Sequence, residues 1–197
     1  MTDESKQWRT LSSRVVYENP WMQVTEDQVI TPKGAQSVYG VTRFPAHGCC
    51  ILALDAEGYT WIVGQHRYAL GRYSWELPAG SIGSDADPLA GAQRELSEET
   101  GMRAAQWHRF LHLAPINAAT NLESHGFVAW DLTQGAQHPD EGEELAMRRV
   151  PFAELLEMVL RGEITSAISV AMTLQAHMLA LRGRMPQAVT TALRAGL

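Results

Sequence analysis

Three glutamates near the middle of the 197-residue chain have the spacing of one helical face. Glu95, Glu98 and Glu99 stand at positions i, i+3 and i+4, which are neighbours on an α-helix. Carboxylates at this spacing repel one another unless a cation binds, and Arg94 can pair with one of them. A hard divalent cation with oxygen ligands is the natural partner, and magnesium usually comes with substrate phosphates. An isolated cluster of this kind would instead indicate a solvated acidic face.

The sequence on both sides predicts how this helix is placed. Asp87 can cap its start, Pro88 suits its first turn, and Gly101 suits its end. Upstream, residues 74–77 are predicted to form a short strand and residues 81–87 a polar loop. The three glutamates therefore belong to a helix that follows a strand and a loop.

The remaining pattern predicts strands, a helix, more strands and then more helices, which is typical of an α+β fold. Residues 27–30 and 37–43 flank a turn and predict a hairpin in the first part of the chain. Residues 49–54 and 60–63 are apolar runs around Asp55 to Gly58, and they predict a second hairpin. Helices are predicted from residue 152 onwards.

The composition limits the class of protein. An apolar fraction of 45% is sufficient for a core, and the formal net charge of -6 argues against a broad nucleic-acid-binding surface. Cys49 and Cys50 are adjacent, so on a strand they point to opposite faces and are expected to be buried free thiols. With no apolar leader and no stretch long enough for a membrane span, we expect a cytoplasmic protein without nucleic-acid or membrane partners.

The segment from Gly80 to Met102 resembles a known family motif. Gly80-x13-Arg94-Glu-Leu-Ser-Glu-Glu-Thr-Gly-Met is similar to the Nudix box, G-x5-E-x7-R-E-U-x-E-E-x-G-U, where U is apolar. It departs from the box at Ala86, where the family has a glutamate that usually plays a supporting role beside the metal helix. The residues around the box, 65–68 and 75–80, resemble the branch of ADP-ribose pyrophosphatases and nucleotide-sugar hydrolases.

That resemblance implies a fold and an assembly. The fold would be a Nudix-type α/β/α sandwich with a mixed sheet, plus a small N-terminal antiparallel sheet. Residues 1–45 would form a strand-rich dimerisation segment, and residues 46–197 the catalytic domain. The active site of the resulting homodimer would be shared between subunits.

The resemblance also implies a set of metal ligands on and beside the box helix. They are Glu95 and Glu99, Ala79 through its carbonyl, and Glu98 as a further ligand or as the holder of the catalytic water. The metal would be Mg²⁺, with Mn²⁺ as an alternative.

Further roles fall outside the box. Arg67 resembles an arginine that contacts the diphosphate, and Glu76 a residue near the second metal or the ribose. Trp21, in the N-terminal segment, is a candidate for stacking on the base, although most strand aromatics belong to a core. The catalytic base in this branch comes from an acidic loop, which points to Glu143 first and Glu141 second; the alternative is a solvated run of charges.

These expectations lead to one preferred function and two alternatives. The preferred function is magnesium-dependent hydrolysis of ADP-ribose or another nucleoside diphosphate sugar to a nucleoside monophosphate and a sugar phosphate. The first alternative, which Ala86 favours, is a Nudix-fold sensor that binds such a nucleotide without turning it over. The second alternative is an enzyme that hydrolyses nucleoside triphosphates and so clears them from the nucleotide pool.

Overall fold

Ten strands and four helices make up the computed structural model, which describes residues 7–138 and 144–195. The strands are β1 (Arg9–Asn19), β2 (Met22–Ile30), β3 (Gln36–Arg43), β4 (Ala46–Ala53), β5 (Tyr59–Arg67), β6 (Arg72–Glu76), β7 (Ala79–Gly83), β8 (Met102–Leu113), β9 (Ser124–Gln134) and β10 (Ala146–Pro151). The helices are α1 (Pro88–Thr100), α2 (Phe152–Leu160), α3 (Ala167–Leu181) and α4 (Gln187–Ala195).

A four-stranded mixed sheet in the order β7-β4-β9-β8 forms the middle layer. Strand β4 runs parallel to β9 and antiparallel to β7. Helix α1 covers one face of this sheet, where Cys49 of β4 shares a core with Leu96. Helix α3 covers the other face, where Cys50 shares a core with Met172, and helices α2 and α4 pack against α3. The predicted α/β/α sandwich is confirmed, and both cysteines are buried free thiols as expected.

The predicted hairpin between residues 49–54 and 60–63 is wrong. The turn itself is present, because Gly58 has a φ of +84° and the Asp55 carboxylate accepts from the backbone N–H groups of Glu57 and Tyr59. Beyond the turn the two strands share only the bridge between Leu54 and Thr60. They then separate, because β5 pairs with β6 and β10 in a second antiparallel sheet.

The N-terminal strands β1, β2 and β3 form a separate antiparallel sheet, as predicted. Its hairpin turn places Gly34 at a φ of +86°, where the Gly34 N–H donates to the Thr31 carbonyl. After β3, the Asn121 side chain binds both backbone groups of Phe44: its Oδ1 accepts from the N–H at 2.7 Å, and its Nδ2 donates to the carbonyl at 3.1 Å. This pair joins the N-terminal sheet to the remainder of the chain.

Helix α1 begins and ends where the sequence predicts. The Asp87 Oδ1 accepts from the Leu89 N–H at 3.2 Å, and Gly101 adopts a φ of +72° while its N–H donates to the Ser97 carbonyl. The loop predicted for residues 81–87 is shorter than expected, because β7 extends to Gly83 by pairing with β4. In the part of the chain that the structure describes, no helix has the length and apolar character needed to span a membrane.

Candidate active site

A cavity of about 280 Å³ lies between the start of β7 and the C-terminal half of α1. Its walls carry three carboxylates and two guanidinium groups beside the first residues of β7. The lining residues are Arg67, Ala79, Gly80, Ser81, Arg94, Glu95, Glu98 and Glu99.

Gly80 allows α1 to approach β7 closely at this cavity. A Cβ atom on Gly80 would lie 2.0 Å from Cδ of Glu95 and within 2.3 Å of both its carboxylate oxygens. A second glycine, Gly91, brings the first half of the helix down onto Ile82. The Glu95 carboxylate therefore lies directly against the backbone of β7, in space that any other residue at position 80 would fill.

Arg94 joins two of the three glutamates and the β7 backbone. Its Nη1 donates to Glu98 and its Nη2 to Glu95, both at 2.5 Å, and Nη2 also donates to the Ser81 carbonyl at 2.9 Å. Partial burial alone would lower the pKa of Arg94, but the charges of Glu95 and Glu98 raise it. The sequence-based expectation that Arg94 fixes a neighbouring carboxylate is confirmed, and it fixes two.

Glu99 is the most deeply buried of the three glutamates, with 3% of its surface exposed. Its Oε2 accepts from the Ala79 N–H at 3.0 Å. A buried carboxylate needs such a donor, because removing a charge from water without a partner is costly. The strand and the helix are therefore joined at the point where the metal ligands are predicted.

Arg67 and Glu76 form an ion pair at the edge of the cavity. Nε and Nη2 of Arg67 donate to the two oxygens of Glu76 at 3.0 and 2.9 Å. Burial alone would raise the pKa of Glu76, but hydrogen bonds and charge from Arg67, with a hydrogen bond from Ser74, lower it overall. Glu76 thus holds Arg67 in place, and only Arg67 of this pair lines the cavity.

The donor groups at the cavity fit a hard divalent cation. They are carboxylate oxygens next to the backbone of Ala79, and oxygen ligands are those that Mg²⁺ and Mn²⁺ prefer. Across residues 7–138 and 144–195, no three His, Cys, Asp or Glu side chains already converge on a point suited to a metal. Arg94 binds one oxygen of Glu95 and one oxygen of Glu98 in this arrangement.

The predicted site residues are therefore brought together in part. Five of them line one cavity: Arg67, Ala79, Glu95, Glu98 and Glu99. Glu76 lies behind Arg67, and Trp21 lies in the turn between β1 and β2, 73% exposed and away from the cavity lining. Glu141 and Glu143 fall outside the described residues. Ala86 is exposed in the turn before α1, where its N–H donates to the Gly83 carbonyl.

The structure also groups three histidines that sequence reasoning did not connect. His125 on β9 stacks on His112 of β8, with ring centroids 5.0 Å apart, and meets His47 of β4 edge-on at 5.9 Å. Burial, then the nearby charges of Arg109, His112 and His47, lower the pKa of His125, against the opposing charge of Glu123. The pairing of β9 with β4 and β8 brings these residues together, and no local sequence signal could have done so.

Comparison with known proteins agrees with this geometry. Residues 8–42 match the family model of the nucleoside diphosphate sugar hydrolase N-terminal domain, and residues 43–169 match the NUDIX domain. The chain is 32% identical over 174 residues to an ADP-ribose pyrophosphatase of Mycobacterium tuberculosis, covering 86% of this chain and 83% of that protein. It is 27% identical over 168 residues to a CMP-5'-(N-acetyl-N-hydroxy-3-aminopropyl)phosphonate hydrolase of Streptomyces rubellomurinus, covering 84% of this chain and 80% of that protein.

A solved structure supports the fold. The crystal structure of an ADP compounds hydrolase superposes with a TM-score of 0.81 and 19% identity, covering 93% of this chain and 100% of that chain. The family models together span most of the chain, and the box residues line one cavity. The chain therefore belongs to the Nudix hydrolases, in the branch of ADP-ribose pyrophosphatases and nucleoside diphosphate sugar hydrolases.

Proposed function

We propose that this enzyme hydrolyses the diphosphate linkage of ADP-ribose or another nucleoside diphosphate sugar, with Mg²⁺ as cofactor and Mn²⁺ as a substitute. The observation that carries the proposal is the single cavity in which three box carboxylates face two arginines. Carboxylates supply metal ligands, and a guanidinium suits phosphate oxygens. The relative from Mycobacterium tuberculosis, an ADP-ribose pyrophosphatase, supports ADP-ribose as the first substrate to test.

The chemistry divides between the cofactor and the residues of this chain. When bound, magnesium supplies positive charge to the diphosphate oxygens. Glu95, Glu98 and Glu99 would hold it together with the Ala79 carbonyl. Arg67, held in place by Glu76, would bind and orient the diphosphate.

Hydrolysis then needs one base. The oxygen of water forms a bond to one phosphorus while the bond from that phosphorus to the bridging oxygen breaks. A glutamate accepts the proton of the attacking water, and we propose Glu143 for this role, with Glu141 as the second choice. The products are a nucleoside monophosphate and a sugar phosphate.

We further propose that the enzyme works as a homodimer through its N-terminal sheet. Strand β1 is exposed along nearly its whole length and carries large apolar side chains. Val15, Val16 and Tyr17 are each about half exposed, at 50, 47 and 56%. An apolar sheet surface of this kind marks an interaction site. Trp21, at the end of the same sheet, is our candidate for stacking on the base of the substrate.

A substrate panel tests the proposal. ADP-ribose, GDP-mannose, UDP-glucose, a dinucleoside polyphosphate, a CMP-linked phosphonate and a nucleoside triphosphate are each incubated with enzyme and Mg²⁺, and the nucleotide products are separated and measured by ion-exchange chromatography. We expect turnover of a sugar-linked diphosphate that EDTA abolishes and added Mg²⁺ restores. Tight binding of such a ligand by calorimetry without turnover of any substrate would instead identify a nucleotide sensor.

A further inference from the structure

One short segment, residues 134–138, donates hydrogen bonds to four consecutive carbonyls at the end of α1. A helix leaves its last carbonyls without partners inside the helix, and these groups need donors from elsewhere. Here the donor and acceptor pairs are His138 N to Glu98 O at 3.0 Å, Gln137 Nε2 to Glu99 O at 2.5 Å, Gln134 Nε2 to Thr100 O at 3.0 Å, and Gly135 N to Gly101 O at 2.8 Å.

Two glycines allow this segment to contact the helix end backbone to backbone. A Cβ atom on Gly101 would lie 2.6 Å from the Gly135 carbonyl oxygen, and one on Gly135 would lie 2.9 Å from the Gly101 carbonyl oxygen. Backbone atoms cannot move aside as a side chain can. The position of the segment on the last turn of α1 is therefore fixed, and α1 is the helix that carries the candidate metal ligands.

Hydrogen bonds hold both the side-chain carboxylate and the backbone carbonyl of Glu99. Its carboxylate accepts from the Ala79 N–H at 3.0 Å, and its backbone carbonyl accepts from the Gln137 side chain at 2.5 Å. The first bond sets where the carboxylate points, and the second sets where the backbone that bears it lies. A shift of that backbone would move the carboxylate away from Ala79 and from the cavity.

We propose that Gln137 is a positioning residue for the metal-binding carboxylate of Glu99. It acts through the Glu99 carbonyl and does not line the cavity. This inference rests on the proposed function, because it takes Glu99 as a metal ligand. Groups that orient a ligand from behind commonly affect metal affinity or activity by about 10–100-fold when they are removed.

Gln134 offers a matched control within the same segment. It is the same residue type and donates its side-chain amide to the next carbonyl along the helix, that of Thr100. Thr100 carries no carboxylate. Both glutamines lie at the surface, so replacing either leaves no cavity in the core.

The experiment compares Gln137→Met with Gln134→Met, since methionine keeps the length of the side chain and removes the donor. Mn²⁺ binding is measured by electron paramagnetic resonance without substrate, and thermal unfolding is followed in parallel. We expect Gln137→Met to weaken Mn²⁺ binding about 10-fold and Gln134→Met to change it less than about twofold, at similar melting temperatures. The alanine pair, Gln137→Ala and Gln134→Ala, replaces the methionine pair if either of those variants fails to fold.

Two outcomes would overturn the proposal, and they differ. If the wild type binds Mn²⁺ tightly and both glutamine variants change its affinity equally, Gln137 only caps the helix and does not position Glu99. No Mn²⁺ binding by the wild type would remove the metal site itself, and with it the proposed function. The assay contains no substrate, so a wrong choice of nucleotide in the proposed function would not change either result.

Discussion

Gly80→Ala is the substitution for which the structure gives the clearest geometric consequence. The new methyl group would stand 2.0 Å from Cδ of Glu95, whereas ordinary contacts begin near 3.4 Å. The carboxylate must therefore retreat by about 1.4 Å. Metal–ligand distances are defined to about 0.2 Å, so a displacement of this size would remove Glu95 from the place proposed for it as a metal ligand.

The expected loss can be given a magnitude. A misplacement of about 1 Å in an active site can cost about 100-fold in rate, which corresponds to about 2.7 kcal/mol of transition-state stabilisation. We therefore expect kcat/KM of Gly80→Ala to fall at least about 100-fold. The fold should persist, because the colliding atoms are the far end of a flexible side chain and Gly80 has no positive φ.

Gly83→Ala is the matched control, since Gly83 lies on the same strand and a Cβ atom there meets nothing within 4 Å. The assay is the Mg²⁺ dependence of kcat/KM on the best substrate of the panel, with circular dichroism to follow melting. The reasoning fails if Gly80→Ala keeps the activity of Gly83→Ala at saturating Mg²⁺, because Glu95 would then work equally well when displaced.

Three further predictions concern single groups. Glu99→Gln should lower turnover by about 100-fold or more while melting stays close to wild type, because an amide is a poor replacement for an ionised ligand; near-normal turnover would exclude Glu99 from the metal site. Glu143→Gln should lower kcat with little change in Mn²⁺ affinity, and if only Glu141→Gln does so, our choice of base is wrong. Folding lowers the pKa of His125 from 6.5, because burial disfavours the charged imidazole. The folded state is therefore fully favoured by neutral His125 above pH 6.5, and this contribution is lost as the pH falls through the pKa of the folded state. The free energy of unfolding, measured with urea, should therefore fall less for His125→Gln than for the wild type as the pH drops below 6.5. Parallel plots of this free energy against pH for the two proteins would contradict the prediction.

Local signals in the sequence were sufficient to predict helix α1. Asp87, Pro88 and Gly101 mark the ends of α1 by their own backbone and capping preferences, which need no distant partner. The spacing of Glu95, Glu98 and Glu99 likewise follows from the helix alone. The three glutamates accordingly line one cavity, whereas Arg67 and Ala79 reach it from β5 and β7.

Features that depend on distant pairing were missed. The turn at Asp55 was predicted, yet whether β4 and β5 pair depends on strands elsewhere in the chain, and each strand found other partners. The contact of His47 with His125 arises only because β4 and β9 run parallel in the register that sets Cys49 opposite His125. The donors from residues 134–138 to α1 required the same long-range knowledge.

The hydrogen bonds between Asn121 and Phe44 bear on which substitutions are tolerated where the N-terminal sheet ends. Both hydrogen bonds from Asn121 go to the backbone of Phe44, one to its N–H and one to its carbonyl. Because these bonds use only backbone groups of residue 44, they can form with any residue there except proline, which has no N–H. We therefore expect position 44 to accept other side chains while both bonds to Asn121 are kept. Loss of Asn121, by contrast, would leave both backbone groups of Phe44 without these partners.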